Sequence, residues 1–130
     1  MTANQITADL LLAIPKRFGD RIWLYRNNRL VADAIGKGGK TRKVSAGIDG
    51  QADLSGTLSV EMRTRSGEPR IVGIRCEVEV KADWANGRRD ELSVKQHAFR
   101  AKILKAGGVY ITVRDVETGL AELAALLESY

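Results

Sequence analysis

The stretch that decides the fold runs from Ala52 to Lys81. It reads ADLSGTLSVEM, then RTRSGEPR, then IVGIRCEVEVK. Leu54, Leu58, Val60 and Met62 supply the apolar positions of the first part. Ile74, Cys76, Val78 and Val80 alternate strictly in the last part, the period of a pleated strand. Ser66-Gly67-Glu68-Pro69 between them is a turn signal. The pattern therefore predicts strands over Ala52–Met62 and Ile71–Val80, joined as an antiparallel hairpin. In the second strand Arg75, Glu77, Glu79 and Lys81 take the face opposite the apolar set. Glu79 and Lys81 share that face about 6.6 to 6.8 Å apart, and Asp53, opening the first strand, falls beside them at the open end of the hairpin.

Outward from the hairpin, helices and strands alternate. Ile6, Leu10, Ala13 and Ile14 recur at helical spacing, predicting a helix from Thr2 that stops at Pro15. Arg21–Arg26 reads as a strand with Trp23 and Tyr25, followed by an Asn27-Asn28 turn. Gly36-Lys37-Gly38-Gly39-Lys40-Thr41-Arg42-Lys43 reads as a flexible basic loop. Its spacing does not meet the phosphate-loop pattern G-x-x-x-x-G-K-[ST]. After a polar loop over Ala82–Glu91, Ser93–Ala106 reads as a helix stopped by Gly107-Gly108. A short strand at Val109–Val113 and a final helix from Asp115 or Thr118 to Leu127 complete the chain. The expected class is α/β, a mixed sheet flanked by helices in a single domain over residues 1–130.

Composition narrows the function. One cysteine, Cys76, excludes an internal disulfide and a cysteine-based zinc site. One histidine, His97, argues against a histidine-rich metal site. No apolar run reaches membrane-spanning length, and the N-terminus lacks the pattern of a secretory signal. The expectation is a cytoplasmic protein of a bacterial or phage-infected cell, with no membrane partner. The net charge is +5, and basic residues crowd the segment from Lys16 to Lys43, where Asp20 and Asp33 are the only acids. That distribution suits a polyanionic partner. Arg26, Asn27, Lys37, Lys40, Arg42 and Lys43 are the candidate DNA contacts.

A carboxylate beside a lysine on one strand face has a chemical use. Carboxylate oxygens and a backbone carbonyl can hold a hard divalent cation, and the lysine can place charge near a water activated by it. Asp53, Glu79 and the carbonyl of Val80 form that candidate set, with Lys81 as the lysine. An E-x-K triplet alone is more often a solvated face with cross-strand ion pairs. The neighbouring motifs add weight: Gly47-Ile48-Asp49-Gly50-Gln51-Ala52-Asp53-Leu54-Ser55-Gly56, Glu77-Val78-Glu79-Val80-Lys81, Ser93-Val94-Lys95-Gln96-His97-Ala98-Phe99 and Ala106-Gly107-Gly108-Val109-Tyr110 occur in that order. Together they resemble the VRR-NUC branch of the PD-(D/E)xK nuclease superfamily over roughly residues 20 to 125.

The resemblance implies a restriction-endonuclease-like fold. It also implies a magnesium-dependent DNA endonuclease, with manganese as a substitute ion, acting on branched or four-way DNA as a homodimer in the manner of Holliday-junction resolvases. By the same resemblance Asp53 and Glu79 are metal ligands, Lys81 is the catalytic lysine, and Gln96 is the helix glutamine supporting the site. The Tyr25-Arg26-Asn27-Asn28 segment looks like the family's arginine-asparagine turn. Asp49 competes with Asp53, and Glu77 with Glu79. Gln96 also fits a capping box with Ser93. The chain departs from the family in its first helix, where the usual glutamate is missing and Asp9 is the only acid. Two further readings stay open: a nucleic-acid-binding protein on a nuclease scaffold with weak or no catalysis, and a small basic RNA-binding protein. The aromatic content of 5% argues against a platform for stacking single strands.

Overall fold

The computed structural model describes residues 1–27, 30–35, 37–46, 48–83 and 87–130, with 30–35, 37 and 41–46 described by their backbone. The elements are α1 (Ala3–Phe18), β1 (Ile22–Arg26), β2 (Leu30–Ile35), β3 (Thr41–Ala46), β4 (Leu54–Arg63), β5 (Pro69–Val80), α2 (Val94–Lys105), β6 (Val109–Val113) and α3 (Val116–Glu128). The class is α/β. A mixed four-stranded sheet has the order β1-β4-β5-β6, and β2 and β3 form a separate two-stranded sheet. β1, β4 and β5 are antiparallel, and β6 joins β5 in parallel after the α2 crossover.

The predicted hairpin is present, with Leu54 opposite Val78 and Arg63 opposite Pro69. Its apolar positions fill the main core. Leu54, Leu58, Cys76 and Val78 are fully buried there beneath α1 and α3. On α1, Ile6, Leu10, Ile14 and Phe18 lie four residues apart and form one buried ridge. On α3, Leu120, Leu123 and Leu127 complete the layer.

The helix does not stop at Pro15. α1 runs on to Phe18, with Pro15 inside it, and the Gly19 N–H closes it on the Pro15 carbonyl. A proline inside a helix removes one hydrogen bond and crowds the preceding turn. Here the next turn carries Phe18 onto the same buried ridge as Ile14, and that packing outweighs the break.

The glycine-rich segment also differs from expectation. Lys37–Gly39 is a tight turn in which Gly38 and Gly39 take positive φ, and Thr41, Arg42 and Lys43 belong to β3, paired with Ile35, Ala34 and Asp33 of β2. A strand rich in basic residues carries no apolar alternation strong enough to reveal itself in sequence. The second half of the predicted Asn27-Asn28 turn, Gly36 and the segment 84–86 lie outside the described residues.

A smaller apolar cluster sits on the other face of the sheet. Phe99 and Ile103 of α2 pack with Ala52 and Tyr110, and Leu92 covers their edge. The Phe99 and Tyr110 rings meet edge to face at 6.5 Å. This cluster docks α2 over one end of the sheet and leaves the other end of that face open.

Candidate active site

The register places polar residues in rows across the face that carries α2. Tyr25, Ser55, Glu77 and Tyr110 form one row. Two residues further along the strands, Asn27, Asp53, Glu79 and Thr112 form the next. Asp53 precedes the first ladder pair, and its carbonyl accepts from the Asn27 N–H at 2.8 Å, which holds it in line.

Asp53 also closes the sheet at this end. Its Oδ2 accepts from the Val80 N–H at 2.8 Å, a position where β4 offers no further ladder partner. The N–H and C=O of one strand residue leave along the same edge, so the Val80 carbonyl faces the same side as Asp53. Asp53 and Glu79 are thus neighbours across two strands. The rival, Asp49, lies in the turn before them, exposed and ion-paired with Lys95 at 3.6 Å. It is not part of this row.

Glu79 is 4% exposed. Gln96 Nε2 donates to its Oε1 at 3.0 Å, and the Lys81 ammonium lies 3.9 Å from the same oxygen. Its other oxygen, Oε2, is buried with no hydrogen-bond partner among the described residues. Burial first, and then the charge of Asp53, push the Glu79 carboxyl up to about 8, against the downward pull of Lys81. A second ion-pair partner for Lys81 is Asp90, at 3.8 Å. The ammonium is therefore held between two carboxylates, and its side chain is mostly buried.

Gln96 makes two sets of contacts with one amide. Ser93 caps α2, the Gln96 N–H donates to Ser93 Oγ at 3.1 Å, and Gln96 Oε1 accepts from the Ser93 N–H at 2.9 Å. The carbonyl end of the amide completes the capping box, and the amino end reaches Glu79. Gly50 holds the other side of this junction. Its φ is +75°, and a Cβ there would meet the Lys95 carbonyl oxygen at 2.2 Å. Glycine is required both for the turn and for the close approach of the loop to α2. Beside it opens a cleft of about 270 Å³ whose wall carries Asn27, Asp53, Lys95 and Gln96.

Glu77 does not share the role of Glu79. It is fully buried, and it accepts from Ser55 Oγ and from Arg75 Nε, the latter at 2.8 Å. Asn27 Nδ2 donates in turn to Ser55 Oγ and to the Ala52 carbonyl. This chain of hydrogen bonds satisfies a buried charge, which would otherwise be costly, and it ties Asn27, just past β1, to the Ala52 carbonyl and the Ser55 side chain on either side of Asp53. The side chain of Asn27 is thus spent inside the protein, while Arg26 and Lys40 are exposed. The side chains of Lys37, Arg42 and Lys43 lie outside the described residues.

Asp90, Ser55 and Tyr110 were not anticipated. Tyr110 sits opposite Glu77 in the parallel ladder, and its hydroxyl is buried without a hydrogen-bond partner among the described residues. Burial and the charges of Glu79, Asp53 and Glu77 raise its pKa, so the hydroxyl stays protonated and can donate. Ser55 shares the Asp53 face by period-two spacing, whereas Asp90 and Tyr110 come from other segments and are placed only by the docking of those segments.

Two carboxylates and one carbonyl suit a hard cation that keeps several waters, as magnesium does. The buried Glu79 Oε2 supplies an open acceptor for it. No third acid joins them: among the described residues no group of three or more His, Cys, Asp or Glu forms a metal-binding cluster, and Asp9 stays apart on α1. Among those residues no helix is long and apolar enough to cross a membrane. No protein-family model, curated protein or solved structure matches this chain.

Proposed function

We propose that this protein is a metal-dependent DNA endonuclease that hydrolyses phosphodiester bonds at Asp53, Glu79 and Lys81. One observation carries the reading: two carboxylates from adjacent strands stand side by side at a sheet end, with a lysine ammonium 3.9 Å from one of them. Asp53, Glu79 and the Val80 carbonyl are the residues that would hold magnesium, or manganese in its place. When bound, that ion supplies Lewis acidity toward a phosphoryl oxygen and lowers the pKa of a water.

The chain's own residues do the rest. Gln96 fixes the rotamer of Glu79, so its free oxygen is presented in one position. The Val80 N–H fixes Asp53 in the same way. Lys81 offers three N–H donors to an attacking water or a phosphate oxygen, and Asp90 keeps it from folding entirely onto Glu79. Lys95 lines the cleft, and exposed Arg26 and Lys40 add to the positive field that attracts a polyanion. Hydrolysis forms a bond from water oxygen to phosphorus and breaks the phosphorus–oxygen bond to the leaving sugar. The attacking water loses its proton to solvent or to a neighbouring base, and the departing sugar oxygen takes one from solvent.

Branched or four-way DNA cut by a homodimer is the preferred substrate in this reading, and it rests on the resemblance in the motifs. The test is cleavage of branched and linear DNA in magnesium, with calcium as the inactive control. Cleavage that Glu79→Gln and Lys81→Met both abolish supports the reading. Undiminished cleavage by the double variant overturns it. The second reading is a DNA-binding protein with little catalysis on the same scaffold. The lack of a third acid among the described residues favours it, and binding without cleavage in either magnesium or manganese would establish it.

A further inference from the structure

In the two rows beyond Asp53 and Glu79, the β1 side of the same sheet face is open and carries an aromatic pair. Trp23 and Tyr25 project from β1 on the face that carries Asp53 and Glu79, since residues two apart on a strand share a face. Their ring centroids are 5.4 Å apart and tilted by 48°. Trp23 is 64% exposed and Tyr25 47%. Large aromatic side chains are rarely left so exposed, and their packing against each other covers little of either.

The ground beside them is shaped and polar. Trp23, Tyr25, Thr57, Gly73, Arg75 and Glu77 line a concavity of about 300 Å³. Thr57 faces Trp23 on one side and Arg75 on the other across the ladder. The Arg75 side chain is 54% exposed, and the buried Glu77 holds its Nε at 2.8 Å. That bond fixes the guanidinium plane, and its Nη groups make no hydrogen bond among the described residues. Gly56 keeps β1 close, because a Cβ there would meet the Trp23 carbonyl oxygen at 1.8 Å. The aromatic pair thus stands on a strand that cannot drift from the sheet.

We propose that Trp23, Tyr25 and Arg75 form a stacking and phosphate-holding platform for an unpaired nucleotide of the DNA strand. The proposal deepens the nuclease reading and rests on it. Four residues along a strand span about 13 Å, so a strand held at Asp53 and Glu79 reaches the platform within a few nucleotide steps of about 3.4 Å. The low aromatic content argues against a stacking platform, but two of the seven aromatic residues converge at this one place and are exposed; a π-face takes any base, and a fixed guanidinium takes a phosphate. Aromatic and cation together match a nucleotide better than they match an apolar partner surface. Duplex DNA keeps its bases stacked on each other and cannot use the platform. The enzyme would then favour substrates with unpaired nucleotides beside the cut.

The experiment is binding without cleavage. Fluorescence anisotropy in EDTA compares a short oligothymidylate with a blunt duplex of the same length, for the parent, Trp23→Ser, Tyr25→Ser and Arg75→Lys. The expected result is weaker oligothymidylate binding, about tenfold for each aromatic variant, with duplex binding unchanged. The exposed position of both rings lets these variants fold, which thermal melting checks. Equal loss on both DNAs, or no loss on either, overturns the platform. Sedimentation provides the other arm: a parent dimer that Trp23→Ser converts to monomer makes this face a contact between copies and also overturns it. Failure of the nuclease reading shows separately, as absent cleavage with the binding difference intact.

Discussion

At the scale of single residues, Glu79 governs what the site can do. Its carboxyl is raised from an ordinary value of 4.5 to about 8 in the folded, metal-free protein. A raised pKa means the folded state binds a proton more tightly than the unfolded one. The contribution to stability is therefore complete below about 4.5 and is lost as pH rises through about 8. Thermal melts in EDTA should show metal-free stability falling over that window, with a flatter profile for Glu79→Gln. Magnesium should raise the melting temperature more at pH 8 than at pH 6 in the parent, and not in the variant. Lys81→Met should lower the cleavage rate by about a hundredfold or more, the usual loss when a positioned donor is removed, while DNA binding in calcium persists. Cys76 is fully buried, and burial and the nearby Glu77 push its thiol up to about 12. It should resist iodoacetamide in the native protein and react once guanidinium unfolds it.

At the scale of elements, the N-terminus of α2 has two tasks in one amide. Ser93→Ala removes the cap and should cost about 1 kcal/mol of stability. Gln96→Ala removes the cap partner and the Glu79 hydrogen bond together. It should weaken magnesium binding, measured by calorimetry, more than Ser93→Ala does at similar stability. Equal effects would reduce Gln96 to a capping residue. The hairpin of β4 and β5 was legible in its alternation, and so was the shared face of Glu79 and Lys81, which the ion pair bears out. The Ser93–Gln96 cap was legible too, because capping is local. The hairpin of β2 and β3 was not, since Thr41–Ala46 is too basic to show a strand period. The last turn of α1 was hidden by Pro15, whose local cost is set against a core that the local sequence does not display.

At the scale of the whole molecule, two faces of one sheet are used differently. One face lies under α1 and α3 and is apolar where they cover it, with Arg26 and Arg70 at its exposed margins. The other is divided by α2, which buries Glu79 and Glu77 at one end and leaves Trp23 and Tyr25 open at the other. The net charge of +5 belongs to this scale. Duplex binding in calcium should fall linearly on a log–log plot against salt. Lys95→Ala combined with Lys40→Ala should lower the slope by about two, one for each lost phosphate contact. An unchanged slope would place the DNA path elsewhere.

The sequence by itself determined the α/β class, the hairpin, the common face of Glu79 and Lys81, and the cap that carries Gln96. Each depends on periods of two or four residues, and short-range geometry sets those. Only the tertiary structure decided that Asp53 and not Asp49 stands beside Glu79, that Glu77 is spent on Ser55 and Arg75, and that Asp90 reaches Lys81. Those outcomes depend on strand register and on the docking of α2, which bring together residues tens of positions apart. Burial follows from the same packing, and with it the raised pKa of Glu79. A carboxylate that alternation alone would leave on a solvated face became the buried centre of the site.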